Sequence, residues 1–329
     1  MSVSTYRTNR AIPGMTHPQD PSAPAGGGAL AFQPLTSTVP KELVHRASVA
    51  EVMLTDWARR EEDRFILAAQ WPRGHGFFTA VDGCHDPLIA AETIRQAGLL
   101  LAHAEYGVPF GHQFLVSDLS VAVRPAHMRV AASPASLELE VSCRDIKERR
   151  GELTGLRIEV DIHRDGHLTA TGGGALTCIP PKVYQRLRGT QGPDGIQVLP
   201  LTAPEPPQRV GRMSPMDVVL SPIGEPGRWQ LRVDTRHPAL FDHPLDHVPG
   251  MLLIEAARQA ATATLGHTTL PLTVESQFLR YVELDTPCLI QATPTDSTDE
   301  QGAKRVHVTA RQNATTVFSC TLTMAPPHH

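Results

Sequence analysis

Two segments of this chain carry the same polar triplet on an otherwise apolar run. Glu92, Arg95 and Gln96 sit within Leu88 to Ala102, and Glu255, Arg258 and Gln259 recur within Met251 to Ala261. The spacing i, i+3, i+4 puts the three side chains on one stripe of a helix. A carboxylate among apolar neighbours is expected to have its pKa raised toward the range of a general base. Each arginine offers paired N–H donors for a phosphate or a carboxylate, and each glutamine can position a substrate or the base. In a single helix, a Glu–Arg pair that merely satisfies itself would be a sufficient explanation. Keeping all three residues in two copies whose flanks have drifted favours a functional reading, because apolar residues of similar volume would serve stability as well.

The repetition extends well beyond the triplet. His85 to Ala97 reappears as Val248 to Ala260, an offset of 163 (248 less 85), and at the same offset Arg73 meets Arg236 and Phe78 meets Phe241. Gln113-Phe-Leu115 returns as Gln277-Phe-Leu279, and Val44-His-Arg-Ala-Ser48 is echoed by Val210-Gly-Arg-Met-Ser214. Self-similarity at a nearly fixed offset marks two copies of one folding unit. Expected boundaries are a disordered leader over 1–40, a first repeat over 41–187, a linker over 188–208 and a second repeat over 209–326. Leader and linker are set by their prolines and glycines, which break periodic structure.

Within a copy the order is strand, long loop, one apolar helix, then several strands. Asp86 suits an N-cap and Pro87 a first helical position. Ser136–Val141 and Arg157–Ile162 alternate with a period of two, and further strands are expected over Leu168–Cys178, Arg305–Thr309 and Thr316–Met324. Gly172, Gly173 and Gly174, within predicted strand, read as a bulge. A helix apolar nearly all round must be enclosed, so the fold expected is α+β, a tandem hot-dog in which each helix is wrapped by an antiparallel sheet.

The 329 residues, 41% of them hydrophobic, suffice for two cores, and a net charge of −4 without long blocks of one sign argues against nucleic acid. No apolar run reaches the length of a membrane span, and five cysteines without CxxC pairs suggest a reducing, cytoplasmic setting. Cys84 precedes a helix start, where a thiol can be activated, but its partner in the second copy is His247. No metal or cofactor motif is present, so none is expected.

Pro249-Gly-Met-Leu-Leu-Ile-Glu-Ala-Ala-Arg-Gln259 resembles the central helix of hot-dog dehydratases that act on acyl carrier protein. In those enzymes a histidine lies nine residues before the glycine. Here that position is Phe241, with Phe78 as its counterpart, which disfavours dehydration. The whole chain from Glu42 to Met324 is similar to the A-factor (γ-butyrolactone autoregulator) biosynthesis enzymes. The motifs are Trp71-Pro-Arg-Gly-His75, His85-Asp-Pro87, Ala91-Glu-Thr-Ile-Arg-Gln96, His103-Ala-Glu105, Gly111-His-Gln-Phe114 and Phe241-Asp-His243 with Asp246-His-Val-Pro-Gly250.

That resemblance implies condensation of a β-ketoacyl thioester, on acyl carrier protein or CoA, with dihydroxyacetone phosphate, on the way to a γ-butyrolactone, butenolide or furan signal. A thioesterase or hydratase on the same fold, and a non-catalytic module binding acyl groups or lactones, are the competing readings. A second copy of the chain is a further allowed partner. Acyl transfer needs a base, an oxyanion site and a phosphate site. The expected catalytic residues are Glu255, Arg258, Gln259, Glu92, Arg95 and Gln96. Arg73, Arg236, His243, His247 and Gly250 are expected to bind substrate.

The thioester carbonyl is expected at the helix beginning near Pro249, with Glu255 and Arg258 closest, because Asp86 would repel an oxyanion at the other helix start. Removing the residues before Val39 is expected to leave fold and activity nearly unchanged, since that stretch lacks a hydrophobic pattern. Soluble yield and product formation of the truncated protein check this, and loss of either counts against it.

Overall fold

The computed structural model describes residues 37–189, 197–298 and 302–326. The first half contains β1 (Leu54–Glu61), β2 (Arg64–Trp71), α1 (Pro87–Ala104), β3 (Gln113–Val123), β4 (Ala135–Arg149), β5 (Glu152–Arg164), β6 (His167–Ile179) and the short α2 (Pro181–Arg188). The second repeats the order with β7 (Leu220–Pro222), β8 (Arg228–Leu231), α3 (Gly250–Leu265), β9 (Pro271–Phe278), β10 (Cys288–Thr298), β11 (Lys304–Gln312) and β12 (Thr315–Met324). Among the described residues twelve strands form one sheet in the order β1-β2-β4-β5-β6-β3-β9-β12-β11-β10-β8-β7. That order reads the same from both ends once the halves are matched strand for strand. β3 and β9 meet antiparallel at the centre, Asp118 opposite Gln277 and Ala122 opposite Thr273, so the two sheets fuse edge to edge.

Each long helix lies inside its half of the sheet, as its apolar surface requires. Asp86 caps α1, accepting from the Leu88 N–H at 2.9 Å, and Pro87 occupies the first turn. The chain is thus a tandem hot-dog of α+β class. Gly172 to Gly174 are not a bulge: they pair in register with β5 and β3, and the irregularity lies in β3 between Val116 and Asp118. Their lack of side chains has a packing cause. A Cβ on Gly172 would stand 2.2 Å from the Ser120 carbonyl oxygen and 2.7 Å from Cδ1 of Ile94 on α1.

The expected leader falls outside the described residues up to 36, and Val39 is already buried, its N–H donating to the Leu54 carbonyl at 3.0 Å. Of the expected linker, 197–208 is fastened to the second half: the Leu199 N–H donates to Leu284, and buried Glu205 accepts from Trp229 Nε1 at 2.8 Å. We propose 41–187 and 209–326 as the two repeats.

The polar stripes lie in the core. Glu92 is fully buried and accepts from Arg46 Nε at 3.0 Å, Arg95 Nε at 2.9 Å and Gln96 Nε2 at 2.7 Å. Gln96 also donates to the Glu51 carbonyl and accepts from the Met53 N–H. The second half repeats this network: Glu255 accepts from Arg212 Nε at 2.8 Å, from Arg258 Nε at 2.9 Å and from Gln259, which reaches Asp217 O and Val219 N. Each new arginine also crosses between the halves. Arg46 Nη1 donates to the Ala239 carbonyl at 3.1 Å, and Arg212 Nη1 donates to that of Phe77 at 2.6 Å.

The expected rise in the glutamate pKa is therefore corrected. Burial is the largest single influence and would raise both carboxyls, but the two guanidinium groups around each together outweigh it and hold Glu92 and Glu255 down to about 2. A carboxyl lowered from its ordinary value stabilises the fold fully above about pH 4.5, and that contribution is lost as pH falls toward 2. Glu255→Gln leaves two buried arginines without their anion, and a loss of about 3–5 kcal/mol is expected from breaking such a pair. Urea unfolding at neutral pH measures the loss. The variant's stability should also fall less steeply between pH 4.5 and 2, and an unchanged urea midpoint would refute the structural assignment.

Candidate active site

Between the halves lies a cavity of about 400 Å³. Its apolar wall is built by Ile94 of α1, Leu119, Ile158 and Leu176 of the first sheet, and Leu253 of α3, a lining suited to an acyl chain. Its polar lining comes from both halves: His45, Arg46 and Arg95 from the first, and Asp242, His243, His247 and the start of α3 from the second. The cavity is thus shared, lined by cations of one repeat and by the helix start of the other.

The α3 start is shaped by Pro249 and Gly250. Pro249 precedes the first turn, and its carbonyl takes the Leu252 and Leu253 N–H groups, which leaves those of Gly250 and Met251 as first-turn donors at the cavity. A Cβ on Gly250 would stand 3.0 Å from the Phe278 ring, so any side chain there would require the ring to give way by a few tenths of an ångström. Four residues of the preceding loop form two aspartate–histidine pairs. His243 donates from Nδ1 to Asp242 Oδ1 at 2.5 Å, and His247 donates from Nδ1 to Asp246 Oδ1 at 2.6 Å. In each the basic lone pair is thereby placed on Nε2.

Asp242 is buried and ties this loop to the first half, accepting from the Ala47 N–H at 2.7 Å and lying 3.5 Å from Arg46 Nη1. Burial would raise its carboxyl, but the His243 hydrogen bond and Arg46 keep it below the ordinary value. His45 lines the same cavity. His103 donates from Nδ1 to the Val108 carbonyl at 2.6 Å, so neutral His103 accepts at Nε2 from His45 Nε2–H at 2.8 Å, and the His45 lone pair is on Nδ1. Burial, with His103 and Arg95 nearby, pushes His45 down to about 3, so it is neutral near pH 7. Its backbone is left-handed (φ 52°), a conformation glycine adopts without strain, and the counterpart in the second repeat is Gly211 (φ 70°).

The matching position between α1's start and the second half is filled. Asp86 is buried there 3.9 Å from Arg212, whose guanidinium lies 4.3 Å from the centre of the Phe77 ring. Glu255, Arg258 and Gln259 belong to that filled side and do not line the cavity; Arg258 is 2% exposed where Arg95 is 20%. Glu255 and Arg258, expected beside the thioester at α3's start, thus lie outside this cavity, which Arg46 and Arg95 of the first repeat line. Glu92 and Gln96 lie behind Arg46 and Arg95, while His243, His247 and Gly250 line the cavity with Arg95. Arg73 and Arg236 stand apart from it. Arg73 donates to the Ala131 carbonyl and Arg236 to Asp234, both at the surface, so their matching positions in the repeat do not bring them to the site.

Sequence reading passed over His45, Arg46, Asp242 and Arg212. The signal for the arginines was present, since both occupy the third place in the echoed Val44–Ser48 and Val210–Ser214 segments. Cys84 is buried, burial pushes its thiol up, and the other four cysteines are buried and free. Among the described residues no group of three or more His, Cys, Asp or Glu is placed to hold a metal ion, and no helix is long and apolar enough to cross a membrane.

Comparison with known proteins supplies the family. A 2-oxo-3-(phosphooxy)propyl 3-oxoalkanoate synthase from Streptomyces virginiae is 57% identical over 288 residues, covering 87% of this chain and 97% of that protein. Proteins of the same name from Streptomyces griseus and Streptomyces coelicolor are 44% and 43% identical, covering 87% and 86% of this chain and 95% and 90% of theirs. The family model described as the A-factor biosynthesis hotdog domain matches twice, at residues 29–180 and 196–326, once on each repeat, and the chain belongs to that family.

Proposed function

We propose that this chain is an acyltransferase that joins a 3-oxoacyl group, delivered as a thioester, to the free hydroxyl of dihydroxyacetone phosphate. The relatives' name describes that ester, a 3-oxoalkanoate of a 2-oxo-3-(phosphooxy)propyl unit. The observation that carries the reading in this chain is the Asp242–His243 pair lining the same apolar cavity as the start of α3. His243 Nε2 takes the proton of the triose hydroxyl as its oxygen attacks the thioester carbon. The developing oxyanion faces the first-turn N–H groups of Gly250 and Met251, aided by the helix dipole. When the C–S bond breaks, the proton on His243 passes to the departing thiolate, giving ester and free thiol. Arg95, partly exposed at the cavity, and Arg280, exposed where β9 leaves it, supply cations for the phosphate. Glu92 and Gln96 hold Arg95 and Arg46 in place, and His247 lies beside the thioester path.

The same site with water as nucleophile would be a thioesterase. Arginines lining the cavity favour the phosphorylated acceptor, and product mass separates the two. His243→Asn should lower kcat by roughly 10²-fold or more, the contribution of a positioned base. Its melting temperature should change little, because the His243 side chain is 26% exposed. The assay is mass spectrometry of the ester formed from a 3-oxoacyl thioester and dihydroxyacetone phosphate. Near-normal turnover by His243→Asn would remove this residue from the mechanism, and release of free acid alone by the wild type would replace transfer with hydrolysis.

A further inference from the structure

Helix α2 borders the cavity without lining it. Its inner face is fixed to the rim: the Tyr184 hydroxyl donates to Asp246 Oδ1 at 2.7 Å, the same carboxylate oxygen that receives His247 Nδ1. Arg188 donates from Nε to Asp246 Oδ2 at 3.1 Å, binds Glu283, and lies 4.4 Å from the centre of the Tyr281 ring. Both His247 and Tyr281 are cavity residues, so α2 is held two side chains from the proposed chemistry.

The outer face has a different character. Val183 and Leu187, one helical turn apart, are 42% and 61% exposed. Lys182 and Arg186 are exposed beside them at the same spacing, and neither has an ion pair among the described residues. The helix contains no acidic residue. Leu279 and Arg280, at the cavity's edge, are exposed as well. In a chain with a net charge of −4, this is a local concentration of positive charge. Exposed apolar side chains ringed by cations at the mouth of a ligand cavity suit an acidic protein partner, whose charges steer it and whose apolar residues cover Val183 and Leu187. A small nucleotide-linked donor would use the cations but would leave those two side chains in water.

We propose that Lys182, Val183, Arg186 and Leu187 form the docking surface for an acidic acyl carrier protein, which presents its tethered acyl thioester at the adjoining rim. This rests on the transfer reaction proposed above. The test compares Lys182→Glu/Arg186→Glu and Leu187→Ser with the wild type on three donors carrying the same 3-oxoacyl group: an acyl carrier protein, CoA and N-acetylcysteamine. Rim charges act chiefly on association. The expected result is a KM for the carrier-protein donor raised roughly tenfold or more by the charge reversal, with kcat nearly unchanged and both small donors used as before. Leu187→Ser should raise the same KM without touching CoA. An unchanged carrier-protein KM in both variants overturns the proposal. So does an equal rise for CoA on charge reversal, which would assign the cations to nucleotide phosphates. If the wild type forms ester from none of the donors, the transfer reading fails and the docking assignment falls with it.

Discussion

A carboxylate buried among apolar side chains has to be neutralised where it stands, and the way this protein does so organises everything else. Glu92 and Glu255 each draw one arginine from their own helix and a second from a turn more than forty residues earlier. The second arginine has donors to spare after meeting the carboxylate and spends one on a carbonyl of the opposite repeat. A requirement of electrostatics inside one unit thus becomes a strut between two. Each glutamine completes the network by tying the helix to the strand-leading segment beside it. These two clusters fix the helices and, with the β3–β9 pairing, hold the halves together around the space between them.

The fold was legible because its signals are local. Repetition at one offset, an apolar helix with Asp86 at its start and alternating strands are each visible within a dozen residues, and the edge-to-edge sheet follows from repeating a unit whose strand β3 has a free side. The site was legible only in part. Gly250, His243 and His247 travel with a recognisable helix start, so their place at the cavity could be read from sequence. The stripe at Glu92 and Glu255 was equally visible, but its meaning depended on Arg46 and Arg212, which arrive from distant turns and invert the sign of the expected pKa change. Arg73 and Arg236 match by position in the repeat, yet they make their bonds at the surface, apart from this cavity. Spacing along a chain reports which groups share a helix face; it does not report what another element brings to that face.

Two equivalent sites would be the default for two equivalent repeats, and the differences that prevent this are few. Asp86 stands where the second repeat begins its helix with Pro249 and Gly250, Phe77 covers Arg212, and Gly211 replaces the histidine found at 45. Each change closes one side or furnishes the other. The left-handed backbone at 45 and 211 belongs to the scaffold, since it is present in both copies; a histidine there accepts a strain that glycine avoids.

The β3–β9 seam carries a consequence of mass action. A cavity shared between two separate subunits exists only while they are associated, so its occupancy falls on dilution and its thermal stability depends on protein concentration. Here the partners are parts of one polypeptide, and the second half meets the first at an effective concentration set by the connecting segment instead of by the number of molecules in solution. A site assembled across the seam therefore persists however scarce the protein is, which suits a catalyst needed in only a few copies.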